Sequence, residues 1–133
     1  MRAHLLITAV AICSSLVGCS KRDRVSPTTL AGAIEAWDDA GLDAGAFEPA
    51  DDLKVAGGAC QRGTVEGLEA VVCEYSSVDA ADRAREAGLR VVGSATGLAV
   101  ASGPLLLVAT DREGADPSGK AINRVTQVFR GQP

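Results

Sequence analysis

Four cysteines, at positions 13, 19, 60 and 73, are the residues with the most reactive side chains in the chain. Cys60 and Cys73 sit in the stretch ACQRGTVEGLEAVVCEY, where Glu66-Gly67 separates Thr64-Val65 from an apolar, strand-like run from Leu68 to Tyr75. A two-residue hairpin turn at Glu66-Gly67 sets Val65 opposite Leu68 and Cys60 opposite Cys73. Counting outward from a hydrogen-bonded Val65–Leu68 pair, the cysteines fall on a non-hydrogen-bonded pair, where Cα atoms are about 4.5 Å apart. A disulfide accepts Cα separations of about 4.4–6.8 Å. Turn position and cysteine spacing thus point independently to one cross-strand disulfide. Glu66 is the weak element, because this turn favours positive φ at both central residues. A turn at Arg62-Gly63 is the alternative; it shifts the register and still leaves the cysteines near each other. Redox-active pairs usually stand as Cys-x-x-Cys at a helix start, which this is not, so the expected role is structural.

Other reactive groups are sparse. The single histidine is His4, so any domain beyond the first residues lacks histidine-dependent triads and histidine-ligated metal sites. Ser94 lies in Gly93-Ser94-Ala95-Thr96-Gly97, which is not the G-x-S-x-G elbow of a serine hydrolase. Carboxylate pairs of the glycosidase kind are compatible with the composition, but they need a cleft, and the few aromatics are wanted for a core. Gly114-Ala115-Asp116-Pro117-Ser118-Gly119-Lys120 fits G-x-x-x-x-G-K and superficially resembles a P-loop. Ala121 stands where the magnesium-binding Ser or Thr belongs, Pro117 removes a backbone donor, and Asp116 sets a carboxylate beside the phosphate. A loop and helix cap is the expected role, with no nucleotide. Glu35, Asp38, Asp39, Asp43, Glu48, Asp51 and Asp52 form an acidic stretch without Lys or Arg. It is compatible with a calcium site, with a contact for a basic partner, or with a solvated helix end and loop. Its spacing does not match an EF-hand loop. The expectation is a protein that is not an enzyme and carries no cofactor or metal.

The first residues carry an address. Arg2 gives a short positive region, Leu5 to Ile12 an uncharged apolar run, and small residues follow up to Cys19. Those are the three parts of a secretory signal peptide. The uncharged segment from Ala3 to Ser20 contains Ser14, Ser15 and Gly18 and is at best borderline against the ~20 apolar residues of a membrane span. Leu16-Val17-Gly18-Cys19 resembles the lipobox of bacterial lipoprotein precursors. The resemblance covers residues 1–19 only. It implies diacylation of the Cys19 thiol, removal of residues 1–18 and acylation of the new amine, so that the membrane is contacted through an N-terminal lipid. Each buried CH₂ of such chains adds about 0.8 kcal/mol, and two or more chains make a stable anchor. Cys13 competes poorly, since bulky Ile12 would precede the cut. By the same resemblance, Ser20 rather than Asp after the lipidated cysteine favours the outer membrane of a Gram-negative cell envelope. An exported chain keeps disulfides, which strengthens the case for Cys60–Cys73.

The elements follow from spacing. Residues 19–27 read as a lipidated N-terminus and charged tether, and 28–133 as one small domain. Roughly 105 residues suffice for one modest core, with Trp37, Phe47, Tyr75 and Phe129 as its large pieces. The chain has net charge −4, one unit more negative once Arg2 is removed, which disfavours nucleic acid. A first helix is expected over Pro27–Ala40, capped by Ser26, with Leu30, Ala33, Ile34 and Trp37 on one face. A short strand over Leu53–Ala56 and the disulfide hairpin follow. A second helix is expected from Val78 to Arg90, its inner face Ala81, Ala84, Ala87 and Gly88. A second hairpin turns at Ser102-Gly103, with Leu105-Leu106-Leu107-Val108 as a central strand. A third helix starts at Asp116-Pro117 and carries Ile122, Val125 and Phe129. The order α-β-β-α-β-β-α suggests an α+β fold, an antiparallel sheet of two hairpins with helices on one face. The functional expectation is a lipid-anchored envelope protein that binds or braces an unknown protein partner. The alternative is a small inhibitor or ligand-binding module presenting the rigid loop Arg62–Gly67.

Overall fold

The computed structural model describes residues 26–53 and 55–132, a domain of nine short elements around a single sheet. They are α1 (Leu30–Asp39), β1 (Glu48–Pro49), β2 (Ala59–Val65), β3 (Leu68–Glu74), α2 (Val78–Arg83), α3 (Arg85–Val92), β4 (Thr96–Ser102), β5 (Leu105–Asp111) and α4 (Lys120–Phe129). The fold is α+β. Every strand pairing is antiparallel, in the order β1-β2-β3-β5-β4.

β5 explains the layering. Leu105 through Thr110 are all buried. Side chains alternate between the two faces of a strand, so a run with no polar break must be covered on both sides. Leu105, Leu107 and Ala109 join Trp37 of α1 and Val125, Val128 and Phe129 of α4 in one core. Leu106 and Val108 join Ala84, Val92 and the disulfide in a second core on the opposite face. The expectation of helices on one face is therefore corrected: α1 and α4 cover one face and α2–α3 the other. Gly88 lets α3 approach as its sequence suggests, for a Cβ there would come within 2.9 Å of Ala99 Cβ and 3.0 Å of Val108 Cγ2.

Several boundaries differ from expectation. α1 is capped by Thr29, whose Oγ1 accepts from the Gly32 N–H at 3.0 Å, rather than by Ser26. Ser26 instead donates to the Arg130 carbonyl, beyond α4. Glu74, at the end of β3, accepts from the Leu30 N–H at 2.6 Å and places its carboxylate at the positive end of α1. The anticipated strand at Leu53–Ala56 is absent among the described residues there. The fifth strand is β1, held to β2 by backbone bonds that leave no side-chain pattern to read. The second helix breaks at Ala84, where no Gly or Pro marks the break. The second hairpin turns on Gly103-Pro104, one residue later than expected, and α4 starts at Lys120, a turn later than Asp116-Pro117.

Trp37 locks α1 to α4. Its ring is fully buried between Phe47 and Phe129, with centroids 6.1 and 6.2 Å away, and its indole N–H donates to the Val125 carbonyl at 3.0 Å. Phe47 is half-buried and lies over Gly63, where a Cβ would come within 2.7 Å of the ring.

Candidate functional site

The pairing of β2 with β3 sets Cys60 directly opposite Cys73, and the two form a disulfide with Cα atoms 4.0 Å apart. The turn is Glu66-Gly67, with φ of +53° and +76°. A glutamate at positive φ is uncommon, and the segment before β1 compensates it. The Glu66 N–H donates to the Asp43 carbonyl at 2.8 Å, and Glu66 Oε1 accepts from the Asp43 N–H at 2.6 Å. Three further outward positions of β2 are engaged by the same segment. The Cys60 carbonyl accepts from the Ala50 N–H, Arg62 pairs with Glu48, and the Thr64 carbonyl accepts from the Gly45 N–H. The expected Arg62–Gly67 loop is instead the end of β2 and its two-residue turn, laced to the 43–50 segment, with Arg62 adding an exposed ion pair to Asp52 at 3.6 Å.

The disulfide is sealed from solvent. Cys73 is fully buried and Cys60 is 8% exposed. Leu53, Val55 and Tyr75 pack around the pair. The Tyr75 hydroxyl donates to the Val55 carbonyl at 2.6 Å, and its ring lies over Gly58, where a Cβ would approach within 2.6 Å. Burial pushes the Tyr75 phenol above its ordinary value. Thiol exchange needs an accessible sulfur, so this arrangement suits a staple rather than a redox centre. Cys19, the expected lipidation residue, and the expected signal segment 1–18 lie outside the described residues.

The acidic side chains do not converge. Glu35, Asp38 and Asp39 are exposed on α1, Asp43 precedes β1, Glu48 lies on the edge strand, and Asp51 and Asp52 follow it. Among the described residues no three carboxylate, thiol or imidazole groups gather where a metal ion could be held. Among the described residues the best-formed cleft encloses about 190 Å³ between the start of α1, the start of β2 and the end of β3, and Leu30, Pro49, Asp51, Gln61, Val72 and Glu74 contribute to its wall. That is below the roughly 300–1,000 Å³ of small-molecule sites. Its one strand-end carboxylate, Glu74, is already engaged by the Leu30 N–H. No sequence signal singled out Glu74, because its partner is 44 residues away.

The 114–120 segment uses its donors internally. Asp111 accepts from the N–H groups of Ala115 at 2.8 Å and Asp116 at 3.0 Å. Asp116 in turn accepts from the Ile122 N–H at 2.9 Å and from the Ser118 hydroxyl at 3.3 Å. The Ile122 bond foremost holds the Asp116 carboxyl below the ordinary carboxylate range. Four backbone donors that would cradle a phosphate are thus engaged internally, those of Ala115 and Asp116 by Asp111, Gly119 by the Asp116 carbonyl and Lys120 by the Ser118 hydroxyl. Ser94 is exposed in the loop before β4. No protein-family model, curated protein or solved structure matches the chain. Among the described residues no helix is long and apolar enough to cross a membrane.

Proposed function

We propose that the chain is a lipid-anchored lipoprotein of the bacterial cell envelope, with a non-enzymatic domain that binds or braces a protein partner. The observation that carries this reading is the Leu16-Val17-Gly18-Cys19 motif behind a charged start and an apolar run. A sealed disulfide supports it, since such bonds persist in oxidising compartments and are rare in the cytosol. The small cleft and the dispersed carboxylates favour protein contact over turnover of a small substrate. The inhibitor reading is weaker, because the Arg62–Gly67 loop is laced to residues 43–50 rather than projecting freely.

The experiment is fatty-acid labelling and intact-mass measurement of the protein from membranes, for the natural chain and for Cys19→Ala. The expected result is an acylated N-terminus at Cys19 and loss of both label and processing in the variant. Label retained by Cys19→Ala, or a natural chain still carrying Met1, refutes the anchor. Crosslinking from membranes then separates the two roles: capture of resident envelope proteins supports bracing, and capture of a soluble enzyme supports inhibition.

A further inference from the structure

The two edges of the sheet are unlike. At the β2 side, residues 43–50 run alongside the strand and bond outward groups at Cys60, Arg62, Thr64 and Glu66, and the last strand is two residues long and contains Pro49. Short strands and proline are ordinary guards against edge pairing. At the other side, β4 runs Thr96-Gly97-Leu98-Ala99-Val100-Ala101-Ser102 with no charge and no proline. It pairs only with β5, in a continuous register. The Gly103-Pro104 turn makes Ser102–Leu105 a hydrogen-bonded pair, so the alternation points the N–H and C=O groups of Gly97, Ala99 and Ala101 outward. None of those groups has a partner among the described residues.

We propose that β4 pairs with β4 of a second copy of this chain, antiparallel about a two-fold axis at Ala99. Three features select a second copy. First, the strand is self-complementary about Ala99: Leu98 meets Val100, Gly97 meets Ala101 and Thr96 meets Ser102, with no like charges opposed. The three outward residues of each copy then exchange about six backbone hydrogen bonds. Second, the helices fit. Gly88 sits over the seam between β4 and β5, touching Ala99 on one and Val108 on the other. The copy of α3 then lies two strand spacings away, about 10 Å, near the usual distance of packed helices. Third, Ala87 and Val91 pack inward on the second core. The Val91 carbonyl accepts from Arg112, which also reaches Glu69 on β3. Leu89 stands about 200° around the helix from Ala87 and Val91, on the flank toward the β4 edge, and it is 52% exposed. That is one of the two large apolar side chains most exposed in the domain, and it lies where α3 would meet its copy.

The test uses two differently tagged full-length chains co-expressed in an exporting host, one carrying Thr96→Cys and the other Ser102→Cys. These positions oppose each other as a non-hydrogen-bonded pair, about 4.5 Å between Cα atoms, which suits a disulfide. Expected are a mixed covalent dimer, no homotypic dimer of either variant, and twice the monomer mass for the natural chain by sedimentation. Ala101→Pro removes an outward N–H at an edge, where proline is tolerated. It should abolish the dimer and leave a folded monomer whose melting temperature, unlike that of the natural chain, does not depend on concentration. A natural chain that stays monomeric up to about 1 mM, equal homotypic and mixed crosslinking, or a full dimer yield from a folded Ala101→Pro overturns the proposal. So does crosslinking of Thr96→Cys to a different protein in place of its own copy.

Discussion

Reducing the Cys60–Cys73 bond should lower the melting temperature without dismantling the core. The bond joins residues 13 apart in sequence, closing a loop of about 14 residues. In the chain-entropy picture that linkage is worth ~3 kcal/mol at 25 °C. A domain of this size loses about 4–8 °C of melting temperature per kcal/mol, so the expected drop is roughly 12–24 °C. Reduction tests mainly the linkage, since both sulfurs remain in the core and need only separate to van der Waals contact. Cys60→Ala with Cys73→Ala adds a packing loss, because Cys73 is fully buried beneath the 50–58 segment. The double variant should therefore melt lower still, by about 1 kcal/mol equivalent.

Where the loss appears is also specified. β2 is held by β3, by the short β1 and by the sealed disulfide, whereas β5 lies between two strands and two helical layers. Amide exchange at Gln61 and Gly63, whose N–H groups face β3, should accelerate more on reduction than exchange at Leu106 and Val108. The assay is a pair of thermal melts, oxidised and fully reduced, with exchange measured alongside. A reduced protein that melts within about 3 °C of the oxidised one, less than a tenfold change in the unfolding constant, refutes the loop-closure reasoning.

Other substitutions test single contacts. Glu66→Ala keeps the positive φ and loses the acceptor for Asp43, so denaturant unfolding should show about 1–2 kcal/mol of destabilisation; Glu66→Gly should recover about 1 kcal/mol of it by relieving the backbone. Gly88→Leu places its Cβ at 2.9 Å from Ala99 Cβ and should destabilise by about 1–3 kcal/mol despite a better helix propensity, read by the same unfolding curves. The folded Asp116 carboxyl is held below its ordinary range, so its contribution is fully present above the unfolded-state value and is lost as pH falls through the folded one. Asp116→Asn should accordingly flatten the acid limb of a stability–pH curve and lower its neutral region without changing the slope there.

The legible parts of this fold were those written in local periodicity. The register of β2 on β3 followed from a two-residue turn and a period of two, and it carried the disulfide with it. Leu105–Val108 was recognisable as a central strand, yet its lack of alternation also implied cover on both faces, a consequence visible only once the sheet is assembled. Signals of type rather than place misled by one turn. Ser26-Pro27 and Asp116-Pro117 are good helix starts in isolation, but Thr29 and a turn ending at Gly119 take those roles, with Asp116 still reaching the Ile122 N–H. β1 left no trace because its two residues are paired through backbone alone. The objection to Glu66 at positive φ was sound locally and was answered by Asp43, 23 residues earlier. Edge status, which matters most for β4, is a property of the sheet order and has no residue code.

If Cys19 is lipidated and β4 pairs with its copy, as proposed, the two together constrain how the molecule sits on a bilayer. Ser26 bonds the Arg130 carbonyl and Leu30 bonds Glu74, so the chain enters at the sheet end that carries the Gly103-Pro104 turn. The Glu66-Gly67 turn marks the other end, one seven-residue strand or about 23 Å away. A two-fold that continues the sheet runs normal to it and sends the two entry points to opposite ends. In an upright dimer one entry point would stand about 20 Å or more above the other, nearly the whole of the roughly 23–25 Å that the seven Cα steps from Cys19 to Ser26 span fully extended. Both anchors reach one leaflet without strain only if the two-fold runs along the bilayer normal and the sheet lies along the surface. Labels at Gly67 and Gly103 in vesicle-bound protein should then report equal heights above the headgroups. A height difference near the full strand length means that the domain stands upright, and an anchored chain in that pose could pair through β4 with a copy in its own leaflet only by stretching one tether to nearly its full length.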